Sequence, residues 1–244
     1  MTKNIAHRGF SGKYPENTLL AFQKAIEAGS DGIEFDVHLT KDGIPVIHHD
    51  EMLHRTTNGS GLIGDFTFDE LRRLNAFVRS NGIFEIQRIP SLREYFELVK
   101  GTKILSNIEL KTSVIHYPSI EQKVLEIIDN FNCREDVIVS SFNHYSIAIF
   151  KKLAPDVKIG ILEESWLINP GDYSRRLGAE CYHPDFHSLN QESINNLRTN
   201  EIEIYTWTIN DEAEMRSAIA NGLDGVITNH PDEFSKILQE MKSN

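Results

Sequence analysis

Eight short apolar runs alternate with helical segments along 244 residues, and that length suits the roughly 250 residues of eight successive β/α units. No glycine-rich dinucleotide turn follows the first run, which weighs against the alternative of a doubly wound open sheet. Strict alternation requires parallel strands joined by right-handed crossovers. The sequence therefore predicts an α/β protein: a (β/α)8 TIM barrel with a small insertion after strand 2, the whole of 1–244 forming a single domain.

The first run, Asn4 to Ala6, leads to a helix over 18–28, with Asn17 as its expected N-cap and Gly29 as its stop. The second, Gly32 to Leu39, meets the turn Lys41-Asp42-Gly43, after which Ile44 to Ile47 can return antiparallel to Val37 to Thr40. Residues 50–90 then break the repeat. They hold the stretch Asn58-Gly59-Ser60-Gly61 and one short helix signalled by the capping pair Thr67 and Glu70, and they read as an insertion over one end of the barrel. Ser91 and Glu94 repeat the capping spacing ahead of Leu92, Tyr95, Phe96 and Val99, which marks the crossover helix. The remaining strands are Ile104 to Leu110, Val137 to Ser141, Lys158 to Leu162, Ala179 to His183, Ile202 to Thr208 and Asp224 to Thr228. Helices fit between and after them at 119–131, 143–153, 170–177, 191–199, 211–221 and 231–241.

Composition excludes several classes. A net charge of −11 argues against a nonspecific nucleic-acid binder, and 40% hydrophobic with 25% charged residues is the balance of a globular chain, not a disordered one. No run of 18 apolar residues and no secretory pattern is visible, so the expectation is a cytoplasmic protein without a membrane span. Cys133 and Cys181 fall at a helix end and in a strand and are expected to be reduced thiols. Acidity of this size would repel an anionic substrate unless cations were concentrated locally.

Alternation along a barrel strand turns Ile33, Phe35 and Val37 toward the helices and Glu34, Asp36 and His38 toward the axis. Buried carboxylates need a cation, a proton or hydrogen bonds. Glu109 repeats the pattern on the next strand, so Glu34, Asp36 and Glu109 form a candidate hard-cation site, suited to Mg²⁺ or Ca²⁺ and not to zinc, since no cysteine or paired histidine supplies soft ligands. The same acids could instead simply pair with Arg8 and Lys111. His7 and His49 stand after strand ends, where an imidazole pair can supply one base and one acid. His48 must face away from His49 and suits a structural role, and His38 suits packing or support beneath Asp36. Arg8 and Lys111 are candidates for phosphate oxygens, or for balancing the three acids. Phe142 and Trp207, at the ends of their strands, are candidates for packing on the carbon part of a substrate, or for core.

Several segments carry a resemblance. His7-Arg8-Gly9, Pro15-Glu16-Asn17-Thr18, Glu34-Phe35-Asp36-Val37 and His49-Asp50 with Arg55-Thr56-Thr57, continued by Asn107-Ile108-Glu109-Leu110-Lys111, Tyr205-Thr206-Trp207-Thr208 and Gly222 to Pro231, resemble the glycerophosphodiester phosphodiesterase family over nearly the whole chain. The resemblance implies a TIM barrel that hydrolyses glycerophosphodiesters to sn-glycerol 3-phosphate and an alcohol such as choline or ethanolamine. It implies His7 and His49 as the catalytic pair, Glu34, Asp36 and Glu109 as ligands of one divalent cation, Mg²⁺ or Ca²⁺, and Arg8 and Lys111 as phosphate contacts. Asn229 stands where the family carries Asp or Asn.

Three rivals remain at this stage: a lysophospholipase D-type phosphodiesterase acting on lysophospholipids or sphingomyelin, a noncatalytic phosphate-binding barrel, and a sugar isomerase. The last leaves Arg8 and Lys111 unexplained. The outer helices could also serve as a homo-oligomer interface.

Overall fold

The computed structural model describes residues 1–76 and 84–243. The part of the expected insertion at 77–83 lies outside the described residues. Nine strands alternate with helices in the order β1 (Lys3–His7), α1 (Leu19–Glu27), β2 (Gly32–Leu39), β3 (Pro45–Ile47), α2 (Phe68–Leu71), α3 (Leu92–Val99), β4 (Leu105–Leu110), α4 (Ile120–Phe131), β5 (Val137–Ser141), α5 (His144–Leu153), β6 (Lys158–Glu163), α6 (Pro170–Leu177), β7 (Cys181–Pro184), α7 (Gln191–Thr199), β8 (Glu203–Thr206), α8 (Glu212–Ala220), β9 (Gly225–Thr228) and α9 (Pro231–Ser243). Eight of the strands pair in parallel around a closed ring, in the order β1-β9-β8-β7-β6-β5-β4-β2 with β2 returning to β1. This is the expected (β/α)8 barrel, and closure rules out the open doubly wound sheet. β3 is the extra strand, antiparallel to β2 with Val37 opposite Ile47 and Leu39 opposite Pro45.

Period-two alternation sorts the core into two layers. Outward residues of β2 pack beneath α1 and α3, where Phe35 and Tyr95 lie 4.2 Å apart and Phe22 meets Tyr95 edge-on at 5.2 Å. Inward residues Ile5, Ile138, Cys181, Tyr205 and Ile227 form a separate apolar cluster. The insertion has a small core of its own, in which Val46, Leu53, Ile63, Leu71 and Ile89 are buried together. Two 3-10 turns, Leu53–Arg55 and Ile63–Asp65, precede the short helix α2 within it. The capping boxes at Thr67/Glu70 and Ser91/Glu94 both form.

One capping expectation fails. The N-cap of α1 is Thr18, whose hydroxyl accepts from the amide of Ala21. Asn17 sits one residue earlier in the left-handed region, at φ 55°, and its amide donates to Asp36 at 2.8 Å. Asn and Thr are comparable caps. The buried carboxylate claims the asparagine and leaves the threonine to cap the helix.

His183 on β7 is fully buried, and its ring occupies the space a Cβ at Gly160 would need, only 2.6 Å away. Neither ring nitrogen has a partner among the described residues, and burial pushes its pKa from 6.5 down to about 3. The ring stays neutral in the fold, while the unfolded chain takes up a proton below pH 6.5. Stability is therefore fully present above pH 6.5 and is lost as pH falls from 6.5 toward 3, a loss of roughly 2 kcal/mol at pH 5 from this residue. Urea unfolding at pH 7 and pH 5 checks it: His183→Leu is expected to narrow the difference between the two pH values by about that amount. An unchanged difference contradicts the account. Among the described residues no helix is long and apolar enough to cross a membrane.

Candidate active site

The carboxylate cluster follows from strand register. β2 and β4 are neighbours, with Glu34 level with Asn107 and Asp36 level with Glu109. Every second side chain points inward, so Glu34, Asp36 and Glu109 converge, with one oxygen from each lying within 4.8 Å of the others. All three are buried. Burial raises the Glu34 carboxyl well above the usual range, and repulsion from Asp36 and Glu109 adds to it. Burial also pushes Glu109 up to about 7, against the pull of Lys111. Asp36 goes the other way: burial opposes its ionisation, but Arg8 and Lys111 outweigh burial and hold it well below the carboxylate range.

The expected ion pairs are present. Lys111 Nζ lies 2.9 Å from Glu109 and 3.6 Å from Asp36, and Arg8 Nε lies 3.5 Å from Asp36. They leave the cluster incompletely satisfied, because Oδ1 of Asp36 is buried without a hydrogen-bond partner among the described residues. Three converging carboxylates, one of which has a buried unpaired oxygen and two of which are driven toward protonation, make a donor set that fits a divalent cation with oxygen ligands.

His7 ends β1, and its Nδ1 donates to Oδ1 of Asn229 at 2.7 Å. The Ser11 hydroxyl lies 2.9 Å from the same oxygen and 2.6 Å from the His7 carbonyl. An amide oxygen can only accept, so the His7 proton is held on Nδ1 and Nε2 is left bare, 3.8 Å from Glu34. Burial, with the charge of neighbouring Arg8 beside it, lowers the His7 pKa to about 4, so the ring is neutral near pH 7.

His49 follows β3, where extended geometry turns it opposite to His48. His48 is buried between the Asp50 carbonyl at 2.8 Å and the Thr56 hydroxyl at 2.9 Å, the structural role expected of it. His49 Nδ1 donates to the Asp50 carboxylate at 2.5 Å, and its carbonyl accepts from Nε2 of His38 at 3.1 Å. Tyr117 donates its hydroxyl to Nδ1 of the same His38, at 2.9 Å. His38 thus supports the backbone that carries His49.

His7, Arg8, Glu34, His49, Glu109 and Lys111 line one cleft at the C-terminal end of the barrel strands. Phe142 and Trp207 line it too, packed edge to face at 5.6 Å, with the indole nitrogen of Trp207 donating to the His183 carbonyl. Asp36 is brought to the cluster but lies beneath the cleft wall. Sequence reasoning gave no site role to Asn107, Ser140, Leu162, Thr208 and Ile227, which also line the wall. The available signal was period two: Asn107 lies two residues before Glu109 on the same strand, and Ser140 is level with Glu109 on β5.

The closed β/α barrel thus gathers three acids, two histidines and two cations at one mouth. The family model of the glycerophosphoryl diester phosphodiesterase family matches residues 7–233. The chain is 42% identical over 236 residues to the glycerophosphodiester phosphodiesterase of Caldanaerobacter subterraneus subsp. tengcongensis, covering 97% of each protein. It is likewise 42% identical to the glycerophosphodiester phosphodiesterase of Bacillus altitudinis, covering 99% of this chain and 100% of that one. Its fold superposes on an Oleispira antarctica phosphodiesterase solved in complex with the product sn-glycerol-3-phosphate, with a TM-score of 0.88, 29% identity and 96% of each chain covered. The chain belongs to the glycerophosphoryl diester phosphodiesterase family.

Proposed function

We propose that the protein hydrolyses glycerophosphodiesters to sn-glycerol 3-phosphate and a free alcohol, with His7 and His49 as its proton-transfer pair. The observation that carries this reading is the convergence of both histidines, Glu34, Glu109, Arg8 and Lys111 on one cleft, with Asp36 joining the two acids from beneath its wall. Family membership supplies the substrate class, and the Oleispira antarctica relative holds the expected product.

Glu34, Asp36 and Glu109 are the residues that would hold one divalent cation, Mg²⁺ or Ca²⁺. When bound, that ion supplies charge neutralisation for the phosphoryl oxygens. Arg8 and Lys111 orient the same oxygens, Arg8 through a planar fork and Lys111 as a point charge. His7, neutral with Nε2 bare, takes the proton of the attacking hydroxyl. As the new P–O bond forms and the bond to the alcohol breaks, His49 passes its Nε2 proton to the departing oxygen, and the Asp50 carboxylate on Nδ1 steadies the charged ring beforehand. Phe142 and Trp207 offer an apolar wall to the carbon part of the substrate. The cations at the mouth make an acidic protein compatible with an anionic substrate, and we place the enzyme in the cytoplasm.

Purified protein supplied with Mg²⁺ or Ca²⁺ is expected to turn over glycerophosphocholine faster than lysophosphatidylcholine. Choline release from lysophosphatidylcholine with none from glycerophosphocholine would overturn the substrate class in favour of the lysophospholipase D reading.

A further inference from the structure

Arg55 closes the first 3-10 turn of the insertion, Leu53–Arg55, outside the residues assigned so far. Its guanidinium is shared by two carboxylates. Nε and NH2 donate to the two oxygens of Asp50 at 2.6 and 3.0 Å, while NH1 and NH2 donate to the two oxygens of Glu16 at 2.9 and 2.7 Å. Asp50 is the residue that holds Nδ1 of His49. Glu16 also accepts from NH1 of Arg8, at 2.9 Å. One line of charge-assisted hydrogen bonds therefore runs from His49 through Asp50, Arg55 and Glu16 to Arg8.

The purpose of this line is placement more than stability. Arg55, Asp50 and Glu16 are each about a quarter to a third exposed, and exposed ion pairs contribute little to folding. Their geometry is specific, however. A carboxylate next to its histidine in sequence can rotate freely, and a guanidinium gripping both oxygens fixes the face it turns to the ring. The same Arg55 fork holds Glu16, so the cleft wall carrying His49 and the one carrying Arg8 share one rigid partner. A lysine cannot replace it, having a point charge and no plane.

We propose that Arg55 is a positioning residue for the phosphodiesterase reaction, holding the His49 imidazole through Asp50 and the Arg8 guanidinium through Glu16 in one fixed relation. This rests on the reading of His49 as proton donor to the leaving alcohol, and the test separates the two. Two substrates are compared: glycerophosphocholine, whose alkoxide needs a proton to leave, and the p-nitrophenyl ester of glycerol 3-phosphate, whose nitrophenolate leaves without one. Arg55→Gln is expected to lower kcat about tenfold or more further on the choline ester than on the nitrophenyl ester, since displacement of Arg8 slows both and loss of proton donation slows only the first. Arg55→Lys, which keeps the charge and secures a folded comparison, is expected to recover only part of the choline-ester rate. Equal losses on both esters, no loss on either, or full recovery by lysine overturns the role of Arg55. His49→Ala should show the same leaving-group dependence. Equal loss on both esters in that variant overturns instead the donor assignment on which the proposal stands.

Discussion

Replacing His7 or His49 with alanine is expected to lower kcat by about two or more decades each, the scale of a lost general acid or base. The two losses have different origins. Without His7 the attacking hydroxyl keeps its proton, since the carboxylates nearby are committed to the cation site and to Arg8 and Lys111. Without His49 the alkoxide leaves unprotonated, and Asp50, paired with Arg55 and held well below the carboxylate range by it despite partial burial, has no proton to give. Both side chains line the open cleft, so their removal leaves the barrel core untouched. Steady-state kinetics on variants with wild-type circular dichroism check the expectation. Near-wild-type turnover in either one contradicts the pairing.

Loss of the cation should be as severe. Chelation is expected to abolish turnover, and Mg²⁺ or Ca²⁺ to restore it. Asp36→Asn tests the site independently of activity. Asp36 is the acid of the three held firmly ionised, by Arg8 and Lys111, and its Oδ1 has no hydrogen-bond partner among the described residues, so it is the ligand most ready for a cation. Calorimetric titration is expected to show one divalent ion per wild-type chain and binding weaker by about tenfold or more in Asp36→Asn. A cation at a hundred times its dissociation constant should stabilise the wild type by about 2.7 kcal/mol and the variant by clearly less. Equal affinity in the two proteins would place the ion elsewhere.

The barrel was legible because its signals are periodic. Alternation of apolar runs with capped helices survives in a single sequence, and period two along Gly32–Leu39 assigns Glu34 and Asp36 to one face and Phe35 to the other before any neighbour is known. What escaped depends on neighbours. Asn17 looks like a cap until Asp36, 19 residues away, is seen to take its amide. Arg55 and Glu16 are 39 residues apart on two loops, and no spacing rule relates positions on separate loops. Asn107 and Ser140 are ordinary strand residues until register sets the first beside Glu34 and the second beside Glu109. In the sequence His183 merely ends the run Ala179 to His183, and only the pairing of β6 with β7 reveals that Gly160 makes room for its ring.

On the proposed reading this mouth cleaves a phosphodiester on the alcohol side of glycerol 3-phosphate. The measurement that meets it most directly is identification of the phosphorus-containing product when the protein and Mg²⁺ or Ca²⁺ are incubated with glycerophosphocholine, followed by phosphorus NMR. Accumulation of sn-glycerol 3-phosphate with equimolar choline is the predicted result. Phosphocholine with free glycerol, or an unchanged diester under metal-replete conditions, would contradict it.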